Sequence, residues 1–369
     1  MAHRTPHSTL TWLGSDRPLA RVIGRPMLRF LSVEAAGGIV LVAATIIALI
    51  WANSPWSAGY GGFWHSEVHL AIGDWFTLEH DGHPLTLAEV VNDVVMVLFF
   101  LVVGLEIKRE LMAGELRHPR AALLPAVAAL GGMVVPKMRV WYTPIYVGLG
   151  LLLWYATFES GIHATLAGVA MGLLAPATPL TGPEHASKAV QPIVEGEVDA
   201  DTVRRAGFLL GESVSVAERI EHLLHPLTSL VVIPIFALAN AGIELSGDSL
   251  ADAVSAPVTL GVVFGLVVGK TVGVSVFTLL AVRFRFSALP AGAAPRHIVG
   301  VAAISGIGFT VSLFITNLAY DSPLLRDEAK IGVLAASVVA GVIGSTILYR
   351  SKPAAIQPAA DVDCPPVGT

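Results

Sequence analysis

The run Pro257–Val282, PVTLGVVFGLVVGKTVGVSVFTLLAV, constrains this chain more than any other stretch, because a single Lys stands at its centre and no other charge interrupts it. At about 1.5 Å per residue it reaches roughly 39 Å, enough to cross a hydrocarbon core of about 30 Å with some tilt. The run predicts a membrane helix with Lys270 near the midplane. Insertion scales put the cost of a Lys there at about 2.5 to 3.5 kcal/mol. Discharging it is no cheaper, since going from a pKa near 10.4 to pH 7 costs roughly 4.6 kcal/mol. Lys270 is therefore expected to keep its charge and to want a carboxylate partner or a wet cavity. The alternative is a stem that snorkels out of a tilted helix.

The rest of the composition agrees with this. Of 369 residues, 54% are hydrophobic and 14% charged, with mean hydropathy +0.70, whereas soluble domains carry about 25% charged residues. An all-α polytopic membrane protein follows, with lipid as its surrounding partner and no nucleic acid. The one Cys, Cys364, excludes a disulfide framework and a Cys-based metal or redox site. No HExxH or GxSxG pattern is present, so an enzyme is not expected. The net charge of −5 says little, because in a membrane protein sign matters loop by loop.

Apolar runs suggest nine candidate spans: 31–52, 87–106, 121–136, 140–158, 161–175, 223–243, 257–282, 298–320 and 331–349. The basic segment 1–29, with five Arg and one acid, is expected in the cytoplasm, as is the polar tail 350–369, which reads as disordered. The loop 53–89 has five acids and no Lys or Arg, which places it outside. Within it, VHLAI and WFTL flank Gly73-Asp74, which predicts a small external β-hairpin. His65, His69, His80 and His83 in this loop read as solvated imidazoles, with a metal site as the alternative.

If every run spans, the acidic loop 244–256 falls inside and the basic loop 283–297 falls outside, against the positive-inside rule. Dropping one span between 121 and 175 repairs both and returns the tail to the cytoplasm. The weakest run is 121–136, which ends at Pro136-Lys137, so an anomaly is expected at this junction. The segment 176–222 reads as a polar cytoplasmic linker, flexible up to about Asp201.

Three groups of residues suggest chemistry. Glu218, Glu221, His222 and His225 recur at i, i+3, i+4 and i+7 before a span, and carboxylates beside imidazoles titrate near physiological pH. They read either as a proton sensor or as an ordinary solvated helix start. Gly306 and Gly308, in SGIGFT, interrupt the run 298–320. They read either as a broken helix whose half-helix dipoles face an ion, or as close packing through small residues. Asn92-Asp93 lies at the outer end of the run 87–106, and Glu106, Lys108, Arg109 and Glu110 at its inner end.

Together with RFLSVEAAGGIVLVAATIIALIWANSPW, VGLEIKREL, SGIHATLAGV, ERIEHLLHP, PIFALANAG, GLVVGKTVGVSVF and SGIGFTVSLFI, these stretches closely resemble the NhaA-type sodium/proton antiporters, in order from about Arg29 to Arg350. The resemblance implies a twelve-helix transporter of the bacterial inner membrane, both termini cytoplasmic, exchanging protons for Na⁺ or Li⁺ without a cofactor. By motif match, Glu106, Arg109, Glu110, Glu221, His222 and His225 resemble its pH-sensing cluster. Lys270, Gly306, Gly308, Thr310, Asp93 and His163 fall on the ion path, and residues 65–85 resemble a dimerising external hairpin.

One part of the family pattern is missing. After AALGGMVVP the chain passes directly to WYTPIYVGLGLLLWYATFESGIHATLAGV, so about three helices, with the family's paired cation-binding aspartates, are absent. About eight or nine membrane segments are then expected instead of twelve, in a bundle spanning 30–349 with the junction near 136–140. Losing an odd number of spans also accounts for the charge-parity failure. The runs 257–282, 298–320 and 331–349 contain no Asp or Glu. The chain is therefore expected to exchange ions poorly unless another carboxylate, Asp93 foremost, is recruited. A transport-inactive or regulatory remnant is the alternative.

Overall fold

The computed structural model describes residues 36–351, apart from 73–75, 78, 81–82, 114–142, 160–162, 180–181, 196–198, 286–288 and 290–292. The chain forms two compact units, Met1–Gly242 and Ile243–Thr369. Among the described residues, four helices are long and apolar enough to cross a membrane, and up to six if each of two bent pairs is one span.

In the first unit, α1 (Ala36–Ala52) turns by 115° into the short α2 (Ser57–Trp64). Trp51, Tyr60, Phe63 and Trp64 meet at the bend, with ring centroids 5.0 to 6.4 Å apart. Amphipathic aromatics of this kind favour a membrane interface. The Tyr60 hydroxyl donates to the Leu238 carbonyl at 2.7 Å and accepts from the Gly242 amide at 3.1 Å, so it ties off a helix end.

Five short strands follow: β1 (Glu67–Val68), β2 (Ala71–Ile72), β3 (Phe76–Thr77), β4 (Glu79–His80) and β5 (His83–Thr86). All pairings are antiparallel: β5 lies between β1 and β4, and β2 pairs with β3, Ile72 opposite Phe76. The expected turn at Gly73-Asp74 lies outside the described residues.

Thr86 and Glu89 then form a capping box, with the Thr86 amide donating to the Glu89 carboxylate at 2.7 Å, which starts α3. This helix comprises Leu87–Val90, a wide π turn at Val91–Val95, and Met96–Ala113. It crosses α5 (Thr165–Leu174) through glycines: a Cβ on Gly104 would lie 2.7 Å from the Val169 carbonyl, and one on Gly172 2.6 Å from the Leu105 amide. Backbones this close gain dispersion contacts, which drive helix association where lipid removes the hydrophobic incentive. Beside them, α4 (Thr143–Glu159) packs Trp154 and Phe158 against Val90, Val94 and Val97.

The polar stretch after α5 is helical within the part expected to be flexible, up to about Asp201. It contains α6 (Pro183–Val194) and α7 (Ala200–Glu212), and α8 (Val216–Asn240) starts well before residue 223. Local signals override the polar composition here. Pro183 stands in the first turn of α6, Asp199 caps α7 by accepting from the Thr202 amide at 2.6 Å, and Ser215 caps α8. The α8 helix has its own π turn, Thr228–Val232, before Ile233–Asn240.

In the second unit, α9 (Gly247–Ser255) leads into α10, the span Pro257–Arg283, which widens into a π turn at Phe264–Gly269 immediately before Lys270. The run 298–320 is two helices, α11 (Pro295–Ile304) and α12 (Phe309–Ala319), bent by 48°. The long α13 (Pro323–Arg350) packs on α10, α11 and α12. Many large apolar side chains of the spans face outward, among them Phe264, Phe277 and Val338, as lipid contact requires.

The run 121–136, the junction at 136–140, segment 1–29 and the tail beyond Ser351 lie outside the described residues.

Candidate functional site

Lys270 sets the site in the second unit. Its Nζ donates to the Ser305 carbonyl at 3.0 Å, at the C-terminal end of α11. The last carbonyls of a helix lack in-helix donors and carry about half a negative charge, so an ammonium there satisfies an orphan acceptor and offsets the dipole. A backbone carbonyl is thus one described partner of Lys270, a kind that the sequence reading did not name.

The SGIGFT run is both bent and closely packed in the structure. The helix breaks between Ile304 and Phe309, and Gly306 is also a point of close approach. A Cβ on Gly306 would lie 2.6 Å from the Leu266 carbonyl and 2.9 Å from Ala340. Gly308 would meet Leu266 Cδ2 at 2.9 Å. The Leu266 carbonyl belongs to the π turn before Lys270, so two irregular backbone segments face each other. Thr310 sits in the first turn of α12.

In the first unit, Arg109 on α3 forms an ion pair with Glu221 on α8. Glu221 is buried, with its second oxygen lacking a hydrogen-bond partner, while Arg109 is about half exposed. A second pair stands close by in sequence, Arg219, two residues before Glu221, with Glu212 at 3.5 Å, its carboxylate also buried. Of the other residues matched to the sensor, Glu106 is half-buried, and His222 and His225 are exposed. The Glu110 side chain lies outside the described residues. The i, i+3, i+4, i+7 face is therefore not uniform. Glu221 points into the core with Val216, Ala217 and Ile220, while Glu218, His222 and His225 do not.

Asp93 sits half-buried in the π turn Val91–Val95. Asn92 and Asn240 exchange amide hydrogen bonds at 3.4 and 3.0 Å, and the Trp154 indole N–H donates to the Asp93 carbonyl at 3.1 Å. Asn240 and Trp154 stand in motifs quoted above, yet received no role there. The available signal was an amide inside an otherwise apolar run, which needs a partner at membrane depth. His163 is exposed just before α5.

Among α3, α4, α5 and α8 lies a cavity of about 340 Å³ walled by Val97, Leu101, Tyr146, Trp154, Met171 and Ile220, among others. Its walls are almost wholly apolar, so it offers a cation too few oxygens to replace water. Among the described residues no three His, Cys, Asp or Glu gather closely enough to hold a metal. His69 faces Glu67 at 3.5 Å on the exposed loop, and His80 lies opposite His83 across β4 and β5.

The chain is 34% identical to the Na⁺/H⁺ antiporter NhaA 3 of Frankia alni over 411 aligned positions, covering 86% of this chain and 87% of that protein. It is equally similar to NhaA 2 of Myxococcus xanthus (34%, covering 90% and 92%) and to NhaA of Syntrophobacter fumaroxidans (34%, covering 92% and 94%). Because 86% of 369 residues cannot fill 411 positions, the alignment includes gaps in this chain. The Na⁺/H⁺ antiporter 1 family model matches in two stretches, residues 28–142 and 137–348. With both stretches and these relatives in agreement along nearly its whole length, this multi-pass membrane protein belongs to the NhaA-type Na⁺/H⁺ antiporter family.

Proposed function

We propose that this chain exchanges Na⁺ or Li⁺ for protons, using the proton gradient to extrude sodium and regulate internal pH. The observation that carries this reading is the family match over 28–348, which does not favour a transport-inactive or regulatory remnant. The ion path runs by Lys270, the Gly306–Gly308 break with Thr310, and His163, with Asp93 as the carboxylate that takes and releases protons. Asp93 is assigned this work because the runs 257–282, 298–320 and 331–349 contain no acid. A coupled exchanger needs a group that holds either a cation or a proton, and Lys270 repels the cation. Control by pH runs through Glu221 and Arg109, with Glu106, Glu110, His222 and His225 around them. The placement is the bacterial inner membrane with both termini cytoplasmic, the fold an incomplete bundle of eight or nine segments, and the assembly a homodimer through residues 65–85.

We also read residues 136–140 as a deletion of about three helices. The two family-model stretches meet at 137–142, and the alignments to relatives run longer than the chain can fill. Resequencing the gene across the codons for Pro136 to Val140 tests this directly.

Transport is tested by reconstituting the 369-residue chain and following collapse of a preset pH gradient on adding Na⁺ or Li⁺. Expected is cation-dependent proton movement that Asp93→Asn and Lys270→Ala each abolish. A gradient indifferent to both cations would overturn the reading in favour of the remnant.

A further inference from the structure

The turn that carries Asp93 is held from two sides by residues that do not reach its carboxylate in any bond described above. From α4, the Trp154 indole donates to the Asp93 carbonyl at 3.1 Å. From the end of α8, Asn240 donates to Asn92 Oδ1 at 3.0 Å and accepts from Asn92 Nδ2 at 3.4 Å. Asn240 is 4% exposed and also donates to the Phe236 carbonyl of its own helix at 3.0 Å, so its amide is fixed before it meets Asn92. Two independent helices thus grip two consecutive residues of one π turn.

A π turn contains one residue more than the α-helical turn it replaces, which displaces a carbonyl from its usual donor. Such a turn can relax by shedding the insertion to either side. Each residue of shift rotates what lies beyond it by about 100°, one residue's share of a 3.6-residue turn. Asp93 would then point elsewhere. The indole N–H offers the widened turn a replacement donor, and the amide pair sets the rotation of the residue before it. Asn240 is buried and the turn half-buried, so losing either bond would leave polar groups poorly satisfied, and both bonds favour the π form over its relaxed alternatives.

We propose that Trp154 and Asn240 are positioning residues that hold the π turn Val91–Val95 and thereby aim the Asp93 carboxylate for proton and cation exchange. This rests on the reading of Asp93 given above. Other titratable groups near the turn are few. Among the described residues, the Ile233–Asn240 segment of α8 and all of α5 carry none, α4 has Tyr146, Tyr155 and Glu159, and Glu89 precedes the turn on α3 itself.

The test uses the full chain in liposomes with Trp154→Phe, which keeps a ring and removes the N–H, and with Asn240→Ala. Asn240→Gln, which keeps an amide, serves as the conservative rescue. Trp154→Phe is expected to raise the KM for Na⁺ several-fold with less change in maximal rate. It should also shift the pH of half-maximal exchange by about half a unit, the scale of one hydrogen bond felt unequally by two protonation states. A second readout needs no transport: the infrared carboxyl band that Asp93→Asn removes is titrated in each background. If exchange is absent but Trp154→Phe or Asn240→Ala moves that titration, the positioning role stands and the antiport reading fails. If both substitutions leave the band and the pH profile unmoved, the proposal is overturned and the two residues merely pack. Should Trp154→Phe fail to fold, Asn240→Ala against Asn240→Gln decides the matter by the same two readouts.

Discussion

Gly172 shows how little room a single position has in the first unit. Its missing Cβ would sit 2.6 Å from the Leu105 amide and 2.7 Å from Gly104, both backbone, so nothing there yields cheaply. Gly172→Ala is expected to lower stability by about 1 to 3 kcal/mol, the usual range for overpacking. Gly148→Ala on α4, where nothing lies within 4 Å, is expected to be neutral or stabilising by up to about 1 kcal/mol. Unfolding of the detergent-solubilised variants by heat or denaturant compares them. Glu221 makes a second case. Glu221→Gln strips Arg109 of its counter-charge, but Arg109 is about half exposed, so solvent takes up part of the loss. A cost of about 1 to 2 kcal/mol is expected, below that of a fully buried pair. Replacing Glu221, His222 and His225 together should displace the pH profile of exchange, and an unchanged profile would count against their sensing role.

At the scale of elements, helix ends decide most of what was not visible in composition. At the C-terminus of α11 Lys270 donates to the Ser305 carbonyl and so satisfies one of its orphan acceptors. Lys270→Ala is expected to cost roughly 0.3 to 2 kcal/mol in the stability of that break, the range for a cation on a helix C-terminus. Faster amide hydrogen exchange across residues 300–308 would report it. The N-terminus of α7 depends on Asp199, whose carboxyl is held below its ordinary pKa by hydrogen bonds from Thr202. A carboxylate depressed in the folded state stabilises at pH values above its unfolded pKa, near 3.9, and that contribution disappears as pH falls through the lower folded value. On acidification below about pH 4 the first turn of α7 should therefore fray before the rest of the helix, whereas in Asp199→Asn it should not respond to acid. Residue-level hydrogen exchange at Thr202 and Val203 separates the two.

For the whole molecule, the testable quantity is sidedness. Under the positive-inside rule, the acidic loops 53–89 and 244–256 and the basic loop 283–297 lead us to expect both termini in the cytoplasm once one span is dropped between 121 and 175. A reporter fused at the C-terminus is expected to be active only when it is functional inside the cell. Activity confined to the outer side would reverse the topology and with it the assignment of Glu221 and Arg109 to the cytoplasmic face.

Periodicity, hydropathy and charge were enough to show that this is a helical membrane protein, to locate its apolar runs, and to single out Lys270 and the SGIGFT interruption, while the family was legible only through the resemblance of its motifs. Those properties are legible because the bilayer imposes them residue by residue: a span must be long, apolar and internally hydrogen-bonded whatever it packs against. The helices at Pro183–Val194, with Pro in its first turn, and Ala200–Glu212, capped by Asp199, were missed, because such end signals and amphipathic faces are weak inside a polar stretch. The partner of Lys270, the burial of Glu221 beside exposed His222 and His225, and the grip of Trp154 and Asn240 on the Asp93 turn belong to tertiary structure alone. Each joins residues from 35 to 148 positions apart, and which face of a helix meets which neighbour is settled by the close approach of backbones at glycines and by hydrogen bonds between distant elements.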